Sequence, residues 1–335
     1  MKIRPLFLIL SIALLFFSCQ RKQPQLVSIQ GVVFGTYYSI KYYSTKGEVF
    51  QEEIDSLFNH FNESMSYYIP HSLISRVNNN ETQVVDDYFK VVYNKSLQIF
   101  NETNGAFDPT VSPLVNAWGF GFSKKAEVTT QKIDSLLYLI GLNRTRLEDN
   151  LIIKDDPRIQ FDFNAIAKGY AADVIGHFLE TKRITDYMVE IGGDLTTRGK
   201  KPDGSKWRIG LEKPASQIDD PQQWDYFVEM ENMAVATSGN YRRYYEQGGQ
   251  RYSHTIDPFT GYPVNHNLLS VSVFAKDGIS ADGYATAFMV MGFEKSKNFV
   301  ESHPDLEAFF IFSEGAGILK SHATTGLILQ ERPGL

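Results

Sequence analysis

The stretch 159–179 limits the folds open to this chain more than any other. Residues 159–163 read as the end of a strand, and Val174, Ile175 and Leu179 continue as a helix. Between them lies Asn164-Ala165-Ile166-Ala167-Lys168-Gly169, whose small residues mark a strand-to-helix turn. The first N–H groups of a helix have no helical carbonyl to bond and sit at the positive end of its dipole. Such a turn is therefore a natural anion site. Lys168 either adds a charge there or is a solvated surface lysine.

The rest of the chain alternates short strands and helices. Residues 27–43 are β-branched and aromatic, with breaks at Gly31 and Gly35, and read as a strand pair or one bent strand. Gly35 in its middle points to close approach of a ligand or another backbone. Helical spacing appears in 52–61, 72–77, 86–103 and 130–140. Residues 105–121 form a long loop with two prolines and a tryptophan, the kind that is either functional or a plain crossover. Two short strands are expected around Pro157, and others at 187–191, 207–211, 226–230, 233–236, 269–275, 306–312 and 327–329. Residues 214–223 read as a polar loop. Thr237-Ser238-Gly239-Asn240-Tyr241 reads as a polar turn opening a short helix, to cap it or to hold phosphate.

Two constellations can carry chemistry. His254 and Asp257 stand three apart just before Pro258 and Gly261, which stop any helix, so both belong to a strand end and the turn after it. Histidine suits proton transfer near neutral pH, although such a pair can also be purely structural. Asp282 and Thr286 lie four apart in a helix that starts from Ser280 as cap and stops at Gly292, so they share one face. They can hold a hard cation such as Mg²⁺, or Asp282 can simply complement the helix dipole. No Walker loop, Gly-x-Gly-x-x-Gly, His-Glu-x-x-His or zinc cluster is present. A formal net charge of −6 argues against a nucleic-acid binder. The 18 Tyr and 24 Phe leave room for a pocket that stacks on a flat ligand.

The chain begins with a basic Met1-Lys2-Ile3-Arg4, a dozen apolar residues and then Ser18-Cys19 before a polar run. This reads as a lipoprotein signal over 1–18, with lipid on Cys19, a tether over 19–26 and one catalytic domain over 27–335. The expected location is exported and membrane-anchored, facing the periplasm.

In order along the chain, Phe34-Gly35-Thr36, 105–110, 113–116 with 118–121, 166–171, Gly192-Gly193-Asp194, 236–239, 253–258 with Thr260-Gly261, and 281–286 together resemble the ApbE family of FAD:protein FMN transferases. That resemblance implies an α+β fold, a two-lobed single catalytic unit with mixed or antiparallel sheets flanked by helices and an FAD cleft between the lobes. It implies Mg²⁺-dependent transfer of FMN from FAD to a Thr or Ser of an acceptor protein, with release of AMP. Phe34, Tyr68, Ala106, Phe107, Asp108, Asp162, Lys168 and Ile256 would then line the FAD site, with N–H groups near Ser238 adding charge stabilisation. Asp282, Thr286 and the Ala165 carbonyl would hold Mg²⁺, His254 would be the base and Asp257 its positioning partner. An FAD pyrophosphatase and a non-catalytic flavin-binding lipoprotein are the alternatives.

Overall fold

The computed structural model describes residues 23–121, 128–212, 224–240, 244–247, 250–314 and 318–331. The expected signal segment, Cys19, the 214–223 loop and Tyr241 lie outside them. In chain order the strands are β1 (Gln25–Val33), β2 (Thr36–Ser44), β3 (Thr145–Glu148), β4 (Leu151–Lys154), β5 (Tyr187–Ile191), β6 (Asp194–Arg198), β7 (Trp207–Glu212), β8 (Trp224–Met230), β9 (Ala234–Gly239), β10 (Tyr244–Gln247), β11 (Gln250–Ser253), β12 (Leu268–Ala275), β13 (Glu307–Ser313), β14 (Leu319–Ala323) and β15 (Leu329–Glu331). The helices are α1 (Gln51–Met65), α2 (Leu73–Asn78), α3 (Asp87–Glu102), α4 (Ser112–Ala117), α5 (Thr130–Leu137), α6 (Ala167–Thr181), α7 (Gly278–Met291) and α8 (Phe293–Glu301).

Eight strands form one sheet in the order β1-β2-β5-β6-β9-β12-β13-β14, each neighbouring pair antiparallel. Helices α6 and α7 cover one face. The small sheet β15-β8-β7 covers the other, where Met188, Leu195, Val235, Phe274 and Phe309 meet Trp207, Ile209, Val228 and Met230. The two-residue period of a strand makes this possible. Along β9 it sends Ala234 and Ala236 to the helices and Val235 to the small sheet. Each fully buried large side chain, such as Phe288 or Phe310, contributes roughly 1.5–3 kcal/mol.

Several expectations are corrected. β1 begins at Gln25, two residues inside the span expected as tether. β1 and β2 are a hairpin with Phe34 and Gly35 at φ +53° and +74° as its two-residue turn. Both central residues of such a turn need positive φ. That backbone demand is what Gly35 meets, because nothing lies within 4 Å of where its side chain would be. After β4 no second strand follows Pro157: the Asn78 side chain bonds both the N–H and the carbonyl of Phe161, taking the place of a ladder. Thr237–Gly239 continue strand β9 rather than opening a helix, held by pairing with β12. The cap of α7 is Asp277, whose carboxylate accepts from Ser280 N–H at 3.0 Å, so the helix starts three residues earlier than expected.

α7 is buried on nearly every side, as an apolar-all-round helix must be. It crosses α6 at Gly169 and Gly278, where the backbone of each helix fills the space a side chain on the other would take. A side chain at Gly169 would also meet Asp282 Cβ at 2.8 Å. Gly169→Ala should therefore lower stability by about 1–3 kcal/mol through overpacking, seen as a fall of several degrees in Tm. An unchanged melt would contradict this packing.

Candidate active site

The start of α6 and the middle of α7 build one cluster. The Gly169 N–H donates to Asp282 Oδ2 at 3.0 Å. The anion at this helix start is thus one of the chain's own carboxylates. Lys168 Nζ contacts Asp194 Oδ2, and stands 3.7 Å from Asp282 Oδ2. Four residues along α7, the Thr286 hydroxyl donates to the Ala165 carbonyl at 3.3 Å. Ala165, Asp282 and Thr286, expected as a metal site, stand together with Lys168, expected at the FAD site, and with Asp194. Asp194 belongs to the Gly192-Gly193-Asp194 motif, whose acid directly after a glycine turn was the available signal for it.

Electrostatics follow from burial. Asp194 and Asp282 are 2% and 4% exposed, so their charges need partners. Burial works against a charged Lys168, and the two carboxylates outweigh it, holding the amine above the ordinary lysine range. Burial pushes the Asp194 carboxyl up, against the Lys168 charge, and Asp282 adds to the rise. With both carboxylates ionised, one lysine leaves the cluster one negative charge in excess. The Ala165 carbonyl, Thr286 hydroxyl and Asp282 carboxylate are all hard oxygen donors, a set that fits Mg²⁺. Among the described residues no group of three or more His, Cys, Asp or Glu side chains offers another metal centre.

Phe34 packs against Phe58 and Phe61 of α1, and Phe61 against Tyr170 of α6. Tyr68 is exposed, with its hydroxyl 3.5 Å from Asn164 Nδ2. The Asp162 N–H donates to the Pro109 carbonyl, which lays the 105–121 loop against the strand-to-helix turn. Burial pushes the Asp162 carboxyl up to about 6 although it accepts from Asn164 N–H. Asp108 is likewise pushed up to about 6 by burial, while accepting from the Thr110 N–H and hydroxyl and from Leu142 N–H. Its carboxylate knots the loop. Ala106 and Phe107 are buried, Phe107 within the main core. Ser238 sits on β9 opposite Val271, beside Thr237, whose N–H holds the Asp194 carboxylate down by hydrogen bonding.

His254 follows β11 and opens a small hairpin. Val264 N–H donates to the Thr255 carbonyl, Ile256 bridges Pro263, and Asp257 N–H donates to the Tyr262 carbonyl. The Asp257 carboxylate accepts from Phe259 N–H at 2.8 Å, closing the turn. Ile256 is buried with Leu114, Trp118 and Ile133, and Trp118 Nε1 donates to the Gly261 carbonyl at 2.8 Å. The His254 ring lies edge-on to Phe120, centroids 6.3 Å apart. Sequence spacing missed Asp173 entirely, a buried carboxylate that accepts from Gly278 and Ile279 N–H at the start of α7.

Lys168→Met would leave Asp194 buried without its cation. It should lose about 2–3 kcal/mol at pH 7, the low end for an orphaned buried charge because Lys168 is one-third exposed. The Asp194 pKa is raised in the folded state, so the loss should shrink as pH falls and Asp194 protonates. Denaturant melts between pH 5 and 8 read both; a loss independent of pH would contradict the charge pairing.

Comparison with known proteins gives the same frame. Residues 34–310 match the model of the ApbE family. The FAD:protein FMN transferase of Vibrio cholerae serotype O1 is 38% identical over 87% of this chain and 88% of its own length. That of Haemophilus influenzae is 34% identical over 92% of each. Among solved structures, the flavin transferase ApbE from Vibrio cholerae superposes with a TM-score of 0.81 at 36% identity, covering 90% of this chain and 98% of its own. The apo flavinyl transferase ApbE of Pseudomonas stutzeri does so at 0.82 and 34%, over 90% and 96%. With a match across most of its length and relatives above 30% identity, the chain belongs to the ApbE family.

Proposed function

We propose that this protein is an FAD:protein FMN transferase, which moves FMN from FAD onto a Thr or Ser hydroxyl of an acceptor protein and releases AMP. The observation that carries this reading is the joining of Ala165, Lys168, Asp194, Asp282 and Thr286 at one place by three separate elements. An oxygen-rich pocket beside a lysine suits a pyrophosphate and a divalent cation. The names of the relatives support the same chemistry.

The residues divide the work. His254, at the mouth of its pinned hairpin, takes the proton of the acceptor hydroxyl. The freed oxygen forms a bond to the FMN-side phosphorus, the bond from that phosphorus to the bridging oxygen breaks, and AMP departs with that oxygen. Lys168, kept charged by its two carboxylates, faces phosphate oxygens as a fixed cation. Asp282, Thr286 and the Ala165 carbonyl would hold Mg²⁺, which neutralises charge developing on the pyrophosphate. Asp257 keeps the hairpin closed through Phe259 N–H and thereby sets where His254 begins. Phe34 and Tyr68 offer aromatic surface to the flavin. Export and lipidation at Cys19 complete the reading, supported by the basic, apolar and Ser18-Cys19 order at the chain start.

Incubation with FAD, Mg²⁺ and a threonine-bearing acceptor domain should yield protein-linked yellow fluorescence. Free FMN would replace the transferase by a hydrolase, and intact FAD would remove the activity. His254→Ala should slow transfer by about 10²- to 10⁴-fold while still binding FAD; an unaltered rate removes His254 as the base. Asp282→Ala should abolish the response of activity to Mg²⁺, and a variant with a full response would dismiss the oxygen site.

A further inference from the structure

We propose that Asp173 is a positioning residue for the reaction, fixing where Asp282 stands relative to Lys168 and Asp194. This rests on the transferase reading above. Asp173 touches no expected substrate or metal ligand. Its Oδ1 accepts from the Thr196 hydroxyl and from Gly278 N–H, each at 2.8 Å, and its Oδ2 from Ile279 N–H at 2.9 Å. From α6, one of those bonds reaches β6 and two reach α7, so together they join the three elements that carry the charged cluster. Asp173 lies on α6 little more than one turn after Lys168. Thr196 lies on β6 two positions along from Asp194. Gly278 and Ile279 open α7, about one turn before Asp282.

One buried carboxylate therefore ties α6, β6 and α7 behind the cluster that Lys168, Asp194 and Asp282 tie in front. Between the two ties is the Gly169–Gly278 crossing, where Gly278 leaves so little room that a side chain there would come within 3.0 Å of Asp173 Oδ1. Capping alone does not explain the choice of residue. α7 has its own cap in Asp277, from the adjoining position in the chain. Asp173 adds a second carboxylate, 5% exposed, at the expense of desolvation, which pushes it up to about 6. What it secures, and Asp277 does not, is the register of α7 against α6 and β6. Sliding α7 would change the 3.7 Å separation of Lys168 from Asp282 and the 3.3 Å contact of Thr286 with Ala165 together. Residues one shell behind a ligand commonly tune the metal in this way.

The test compares three variants of the full chain: Asp173→Asn, which keeps shape but loses an acceptor; Thr196→Val, which cuts only the β6 tie; and Asp277→Ala, which removes a cap of the same helix with no tie elsewhere. Calorimetric titration of Mg²⁺ into the FAD-loaded protein is read beside Tm and transfer rate. The expected result is a half-saturating Mg²⁺ concentration raised about tenfold in Asp173→Asn and shifted the same way in Thr196→Val. Asp277→Ala should lower Tm and leave that concentration unchanged. Asp173→Asn with a lower Tm but wild-type Mg²⁺ binding overturns the proposal, as does an equal shift in Asp277→Ala. If Asp173→Asn does not fold, Thr196→Val decides by the same criterion. A wild-type protein that transfers no flavin overturns the functional reading itself, a result distinct from any of these.

Discussion

Two helix backbones touch between Gly169 and Gly278, each occupying the place where a side chain of the other would project. Helices in proteins usually keep their axes 8–10 Å apart because side chains stand between them. Removing both side chains brings the start of α6 and the start of α7 together. The Gly169 N–H can then reach a carboxylate from a helix 113 positions further along the chain. Lys168 and Asp282 inherit their separation from that crossing, and neither can be adjusted without moving a whole helix.

The crossing also explains how charges survive inside. α7 is apolar along most of its length, and burying Asp282 in it is tolerable only because a backbone N–H and a lysine are waiting. Asp194 is served by the same lysine. Two further carboxylates take a different route. Asp108 bonds the N–H groups of Thr110 and of Leu142, 34 positions on, and Asp162 bonds that of Asn164, so both shape backbone. The aromatic side chains have a comparable division, with Phe107 and Phe163 closed into the core and Tyr68 left at the surface.

Much of the architecture was legible because it is local. The short apolar run of β5, the apolar spacing of α3 and the four-residue step from Asp282 to Thr286 all depend on neighbours within a few positions. The α+β class with its mixed or antiparallel sheets came from the resemblance to the ApbE family, and the strand pairing bears it out. What escaped depends on partners far away. Asp173 has no motif of its own, and its role comes from Gly278 and Ile279, more than a hundred positions later. Thr237, Ser238 and Gly239 look like a turn by composition, yet pairing with β12 extends them. Residues after Pro157 look like strand, yet Asn78 takes their backbone bonds from another helix. The cap of α7 was misplaced by a smaller margin, since Asp277 and Ser280 are both good caps and only geometry chooses.

The strand order has one more consequence, for how the chain is assembled. Four of the seven neighbouring pairs in the large sheet follow one another in sequence; of the other three, β2–β5 leaves the longest gap, and Tyr37 bonds Glu190 across 153 positions. The first hairpin to be made therefore waits, with the inner edge of β2 open, while α1 to α6 are still being added. Closing so long a loop is slow, and an open strand edge is an invitation to pair with another chain. The interval between synthesis of β2 and synthesis of β5 is the period in which this protein most needs to be kept apart from its own copies.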